Sequence, residues 1–275
     1  MKSKFISGLL TGALIISLIF SVHALAAKKA ITIKGSTTVL PIAQACAEAF
    51  MNRHPDIDIS VQGGGSGVGI ASIIDGTCEI GDSSRPIKDK ERIKAKAKGV
   101  QVYENIVAMD GIAVIVHPTN PVQELTREQI KAIYTGKISN WSEAGGKKGK
   151  IVVVSRDSAS GTFEAFNHLA LDGERVRPDS LLNASNNAVA MTVANTPGAI
   201  GYIGLGYLSP KVKSLKVDGV EPTKENVVNG SYVLARKLFM YTNGEPKGTV
   251  KQFIDFVLSD DGQKLVDKAG FVAVM

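Results

Sequence analysis

The strongest constraint on how this chain folds is an alternation. Short apolar runs rich in β-branched residues recur at 30–34, 57–61, 79–81, 106–116, 151–154, 199–203 and 238–241. Between them lie segments of helical periodicity, clearest at 39–52, 127–134, 162–169, 187–194 and 249–259. Strands that alternate with helices are joined by crossovers, and crossovers build largely parallel sheets with helices on their faces. An α/β architecture is expected. A length of 275 residues suits two such units, yet no fixed-period repeat and no Pro/Ser-rich linker divides the chain. The units must therefore connect through the fold itself. Two extended runs, 108–116 and 232–241, exceed the ordinary strand length of about 5 to 6 residues and are the expected crossings.

Composition removes broad alternatives. With 44% hydrophobic and 21% charged residues the chain is neither disordered nor wholly membrane-embedded. A net charge of +6 without a long single-sign block suits attraction of a small anion as readily as nucleic acid. The lysine-rich stretch Lys88 to Lys98 is interrupted by Asp89 and Glu91 and reads as a solvated helix face, so no nucleic-acid partner is expected. At the N-terminus, Lys2 and Lys4 precede an apolar run from Phe5 to Val22, and Ala24-Leu25-Ala26 supplies a small-x-small cleavage pattern. Residues 1–26 are the expected cleaved signal peptide, and the mature chain is expected to be exported. Cys46 and Cys78 are the only cysteines. In an exported chain they form one disulfide or remain two buried thiols, Cys46 lying on the apolar face of the first helix. No C-x-x-C or H-E-x-x-H occurs, so neither metal nor cofactor is expected.

The chemistry sits where strands end. Gly35-Ser36-Thr37-Thr38 follows the first strand and opens a helix. Gly63-Gly64-Gly65-Ser66-Gly67 does so after the second, and Ser155-Arg156-Asp157-Ser158-Ala159-Ser160-Gly161-Thr162 after the run at 151–154. Each turn places hydroxyls and glycines at a helix N-terminus, where free N–H groups and the positive dipole end favour an anion. Glu79-Ile80-Gly81-Asp82-Ser83-Ser84-Arg85 adds a fourth cluster. Such turns lie outside the carboxyl ends of strands, the usual ligand position in open α/β sheets. Singly, each reads as ordinary N-capping. Together they supply many neutral donors and few charges, with Arg156 and Arg85 the cations, which suits a small desolvated oxyanion.

Enzymatic alternatives fail on spacing. G-x-x-x-x-G-K-[ST], G-x-G-x-x-G and G-x-S-x-G are all missing from the glycine-rich turns. His168 follows Ser160 by eight residues on the same expected helix and cannot face a hydroxyl at that helix's start. No enzyme is expected. Trp141 reads as packing, and Asn186 and Asn187 read as helix caps.

The motifs G-S-T-T-V at 35–39, G-G-G-S-G at 63–67, I-G-D-S-S-R at 80–85, G-K-I-S-N-W at 136–141, S-R-D-S-A-S-G-T at 155–162 and P-G-A-I-G-Y at 197–202 occur in order along the chain. With the tail F-V-L-S-D-D-G-Q, this series resembles the periplasmic phosphate-binding proteins of ABC transporters. The resemblance implies a two-lobed type II periplasmic-binding-protein fold: each lobe a mixed, mostly parallel sheet flanked by helices, joined by a two-segment hinge. Lobe 1 is then 27–110 plus 236–275, and lobe 2 is 111–235. It implies a monomer that binds inorganic phosphate in the periplasm, closes its cleft on the anion and presents it to an inner-membrane permease. The implied ligand residues are Ser36, Thr37, Thr38, Ser66, Ser84, Arg85, Arg156, Ser160, Gly161 and Thr162. Where some members carry an aspartate that accepts the proton of monohydrogen phosphate, Ser84 stands here. Asp82 and Asp157 are the candidate replacements, with turn-capping and arginine-orienting as their alternative roles. The same scaffold tuned to sulfate, molybdate or tungstate is the second reading.

Overall fold

The computed structural model describes residues 29–274; the expected signal peptide, 1–26, lies outside the described residues. In chain order the first half contains β1 (Lys29–Gly35), α1 (Leu40–Arg53), β2 (Ile57–Gly63), α2 (Ser66–Ile74), β3 (Ile80–Ser83), α3 (Asp89–Ala97), β4 (Val102–Val116), β5 (Glu124–Leu125) and α4 (Arg127–Thr135). The second half contains β6 (Val152–Arg156), α5 (Gly161–Leu171), β7 (Leu181–Asn183), α6 (Asn186–Ala194), β8 (Ala199–Gly204), β9 (Lys213–Ser214), β10 (Lys216–Val217), α7 (Lys224–Val228), β11 (Ala235–Asn243), α8 (Gly248–Leu258) and α9 (Asp260–Lys268). The alternation read from the sequence is present. The elements it did not signal are the short β5, β7, β9, β10 and α7, and α9; Leu181 and Leu182 of β7 are exposed rather than core-forming, and Ser259 caps α9 directly after α8 ends.

The main sheet runs β2-β1-β3-β11-β4-β8-β6-β7. Its outer pairs are parallel and its middle is antiparallel. β4 explains the continuity. Its 15 residues pair with β11 from Val102 to Gly111 and with β8 from Ile112 to Val116, so one strand joins the two halves of the sheet. Apolar packing divides at the same place. Ile31, Ile33, Ile42, Phe50, Val107, Leu238 and Phe253 share one core, supplemented by a small cluster of α2 with Phe239 and Tyr241. Ile112 to Val116, Tyr134, Phe166, Tyr202 and Leu234 belong to another. These cores define a first and a second lobe. The change from one to the other falls between Ala108 and Ile112 on β4, and between Leu234 and Leu238 entering β11.

Close chain approach explains one of the glycines. A Cβ on Gly35 would lie 2.2 Å from the Asp82 carbonyl, and Gly35 has φ +139°. The next residue, Ser36, donates its N–H to that carbonyl at 2.9 Å. Only glycine lets β3 come so near the turn that starts α1. Cys46 and Cys78 are both free and buried, so the disulfide alternative falls and the buried-thiol reading stands. Burial pushes each thiol up to about 12, which keeps it protonated and unreactive. Trp141 is buried and donates to the Gly198 carbonyl, a packing role as expected.

Candidate functional site

The three glycine- and hydroxyl-bearing turns converge between the lobes. Ser36 accepts the N–H groups of Thr38 and Val39 with its side chain, holding the turn that opens α1. Ser160 caps α5 by accepting from Phe163. The N-cap of α2 is Gly65, which supplies no side-chain acceptor to the first turn of that helix. Across the cleft, Thr38 Oγ1 lies 2.8 Å from Thr162 Oγ1, and the Gly67 N–H reaches the Ala159 carbonyl at 2.9 Å. Ser66 Oγ accepts from the Ser84 N–H at 2.9 Å and lies 3.3 Å from Ser84 Oγ. Gly161 packs so tightly on this pair that a Cβ there would meet Ser66 Oγ at 2.1 Å. The lobes are thus in contact through the predicted residues themselves.

Arg156 closes β6 and is only 2% exposed. Its Nε donates to the Asn183 carbonyl at 2.9 Å, and its Nη2 donates to the Ala184 carbonyl at 3.0 Å and to Thr37 Oγ1 at 3.3 Å. Nη1 is buried with no partner. Among the described residues no carboxylate lies within ion-pair distance of this guanidinium, and burial lowers its pKa from the ordinary arginine value. Carbonyls aim it without neutralising it. A buried cation left in this state demands an anion.

The other predicted charges are placed elsewhere. Arg85 is not directed at the same point: it grips Glu91 bidentately at 2.7 and 2.8 Å, and its Nε lies 2.6 Å from Glu164 Oε2, though its N–H is not aimed at that oxygen. Lys88 meets the same Glu164 oxygen at 2.7 Å. Glu164 belongs to α5, so these pairs also bridge the lobes. Asp157 does not orient Arg156; its Oδ1 accepts the Ala159 N–H at 2.8 Å and shapes the turn. Asp82 shares a strand face with Ile80, which packs in the α1 core, and its charge acts on the Cys46 thiol. It points under α1 rather than into the cleft, and its Oδ1 has no partner.

Asp82 carries a consequence for stability. Burial raises its carboxyl well above the usual range, so the folded chain holds a proton that the unfolded chain releases above about pH 4. The contribution of Asp82 to stability is therefore greatest in acid and falls as pH rises towards the raised folded value. Asp82→Asn is expected to raise Tm at neutral pH and flatten its pH dependence. Thermal unfolding of both proteins from mildly acidic to neutral pH checks this, and an unchanged slope would contradict the buried, protonated carboxyl.

Two residues of the site were not recognised in the sequence. Arg236 on β11 pairs in register with Asp110 on β4, at 2.8 Å, where the strands pass between lobes. Its Nη2 also reaches Thr38 Oγ1 at 3.2 Å and Thr162 Oγ1 at 3.1 Å, one from each lobe. Asp110 accepts the Leu205 N–H as well. A single arginine and a single aspartate inside the two apolar crossing runs were the available signal, since buried charges occur in pairs. Asn186 is the other. The cap of α6 is Ser185, not Asn186 or Asn187. Asn186 is buried and donates to Thr37 and Thr38 instead. One buried carboxylate set against two buried guanidiniums leaves the floor of the cleft with a net positive charge.

A family model described as a PBP superfamily domain matches residues 22–261. The phosphate-binding protein PstS of Bacillus subtilis (strain 168) is 41% identical over 250 residues, covering 90% of this chain and 82% of that protein. The protein of the same designation from Staphylococcus aureus (strain COL) is 36% identical over 253 residues, covering 87% and 76%. Among solved structures, a phosphate ABC transporter substrate-binding protein with bound phosphate from Clostridium perfringens is similar, with a TM-score of 0.84 and 41% identity over 90% of this chain and 100% of the other. An ABC-type phosphate transport receptor from Vibrio cholerae has a TM-score of 0.73 and 33% identity, covering 88% and 99%.

Proposed function

This chain belongs to the PBP superfamily, and on that premise we propose that it binds inorganic phosphate and delivers it to the permease of an ABC transporter. The carrying observation is Arg156: a buried second-lobe guanidinium with a partnerless Nη1 and, among the described residues, no carboxylate partner, reaching the Thr37 hydroxyl of the first lobe. Ser36, Thr37, Thr38, Ser66 and Ser84 from the first lobe and Arg156, Ser160, Gly161 and Thr162 from the second surround one small anion. Arg236 supports the hydroxyls from below. Arg85 leaves this set and joins Lys88 in holding Glu164 across the cleft. The lobes are 27–110 with 236–275, and 111–235, hinged where β4 and β11 pass between them. The protein works as a monomer, exported through the 1–26 segment to the periplasm, and it binds rather than transforms its ligand.

Calorimetric titration with phosphate, sulfate and molybdate tests this reading. Tight one-to-one binding of phosphate, with the other two weaker, is the expected result; failure to bind phosphate, or preference for another oxyanion, refutes it. Because Asp82 and Asp157 are turned to other tasks, Asp82→Asn leaves the phosphate-to-sulfate ratio unchanged.

Glu164 predicts a kinetic effect. Its ion pairs with Arg85 and Lys88 form only while the lobes touch, so they stabilise the closed form over the open one. Losing a charged partner in this part-buried cluster is expected to weaken affinity about ten-fold, mostly through faster release. Stopped-flow dissociation of phosphate from Glu164→Gln measures it, and an unchanged release rate would remove these pairs from closure.

A further inference from the structure

The hydroxyls beside Arg156 are connected to one another, and the direction of their protons follows from their partners. Asn186 Oδ1 accepts the Gly204 N–H at 3.1 Å, and since a backbone N–H only donates, this fixes which end of the amide is which. Asn186 Nδ2 must then donate both its protons, to Thr37 Oγ1 at 3.1 Å and to Thr38 Oγ1 at 3.0 Å. Thr37 Oγ1 also receives Arg156 Nη2, so both its lone pairs are engaged. Arg236 Nη2 gives one proton to Asp110 Oδ2 at 2.8 Å and shares the other between Thr38 Oγ1 at 3.2 Å and Thr162 Oγ1 at 3.1 Å, so Thr38 too has a second incoming donor. A hydroxyl with two incoming donors has only its own proton left to give.

The Thr38–Thr162 contact of 2.8 Å, geometrically open to either donor, is thereby directed: Thr38 gives and Thr162 accepts. Thr162 then holds incoming bonds from Thr38 and Arg236, and its proton too must leave the chain. Among the described residues, neither Thr37 nor Thr162 has a protein acceptor for its hydroxyl proton in addition to these contacts. Both protons are offered to whatever occupies the cleft.

We propose that Asn186 is a positioning residue that sets the polarity of the Thr37, Thr38 and Thr162 hydroxyls, so that on closure this wall presents O–H donors only and selects unprotonated anion oxygens. Asn186 lies on α6 in the second lobe and the first two threonines lie in the first, so the polarity is imposed when the lobes meet. The inference rests on the phosphate reading and deepens it: ligand oxygens against this wall carry no proton.

The experiment uses the full-length mature protein. In the wild type saturated with phosphate, proton–phosphorus correlation spectroscopy at low temperature is expected to link the Thr37 and Thr162 hydroxyl protons to the ligand phosphorus, and not the Thr38 proton. A Thr38 correlation, or none from Thr37 and Thr162, overturns the inference. Phosphate titrations of Asn186→Leu and Asn186→Asp supply the second readout. The leucine variant, similar in shape but with no donor, is expected to bind about ten-fold more weakly. The aspartate variant is expected to bind about a hundred-fold more weakly, because its carboxylate draws the Thr37 proton away from the ligand and the Thr38 proton away from Thr162, which then gives its own proton to Thr38, and because it adds like charge. A purely structural role predicts the reverse order, since aspartate preserves the shape. Aspartate binding as well as or better than leucine overturns the inference. Absence of phosphate binding by the wild type would instead defeat the functional reading on which it rests.

Discussion

Arg156→Ala is expected to weaken phosphate binding by about thirty- to a few thousand-fold while leaving the unliganded fold intact. The size follows from burial: truncating one partner of a desolvated, hydrogen-bonded charge pair costs about 2–5 kcal/mol. Fold stability is spared because, among the described residues, no carboxylate depends on this guanidinium, so removing it strands no charge; the carbonyls it leaves belong to half-buried Asn183 and exposed Ala184, within reach of water. Without ligand the substitution removes a buried cation that had no counter-ion. Tm of the unliganded protein is therefore expected to hold or rise. Arg156→Lys restores the charge but not the fork that engages two carbonyls and still offers Nη1 to the ligand, so it rescues only part of the affinity. Titration calorimetry beside thermal unfolding measures both quantities. Unchanged affinity in the alanine variant would remove Arg156 from the site.

The same contrast explains what was legible beforehand. Strand-to-helix turns are local, so their glycines and hydroxyls could be read directly, and the resemblance gave them a common purpose. Side-chain targets depend on three-dimensional neighbours. Arg85 and Arg156 look equivalent in sequence, each beside a hydroxyl-rich turn, but two glutamates lie against Arg85 and none against Arg156. Glu164 comes from another lobe, beyond the reach of local pattern. The placement of Asp82 was accessible in principle. It shares strand parity with Ile80, and Ile80 faces the core. Asn186 was misjudged for a different reason: capping preference is strong enough that an asparagine at a helix start reads as a cap, whereas Ser185 one residue earlier had already taken that task.

Gly161→Ala tests closure from the opposite direction, by steric blockage rather than lost attraction. A Cβ on Gly161 would lie 2.1 Å from Ser66 Oγ, 2.8 Å from Ser66 Cβ and 2.8 Å from Ser84 Oγ. All three atoms belong to the first lobe, while Gly161 starts α5 in the second. The clash exists only when the lobes meet, so the open form keeps its stability and alanine even favours α5. Ser66 cannot simply rotate away, because its Oγ accepts the Ser84 N–H and its Cβ is fixed on the first turn of α2. Forcing one extra carbon into a packed contact costs about 1–3 kcal/mol, equivalent to about five- to 150-fold in affinity. Small-angle scattering separates this from a local loss of contacts. The wild type is expected to shrink in radius of gyration on saturation with phosphate, and Gly161→Ala to stay at its unliganded value, or to shrink less, at matched occupancy. A variant that closes fully and binds like the wild type would mean that the lobes close on phosphate without bringing Gly161 against Ser66.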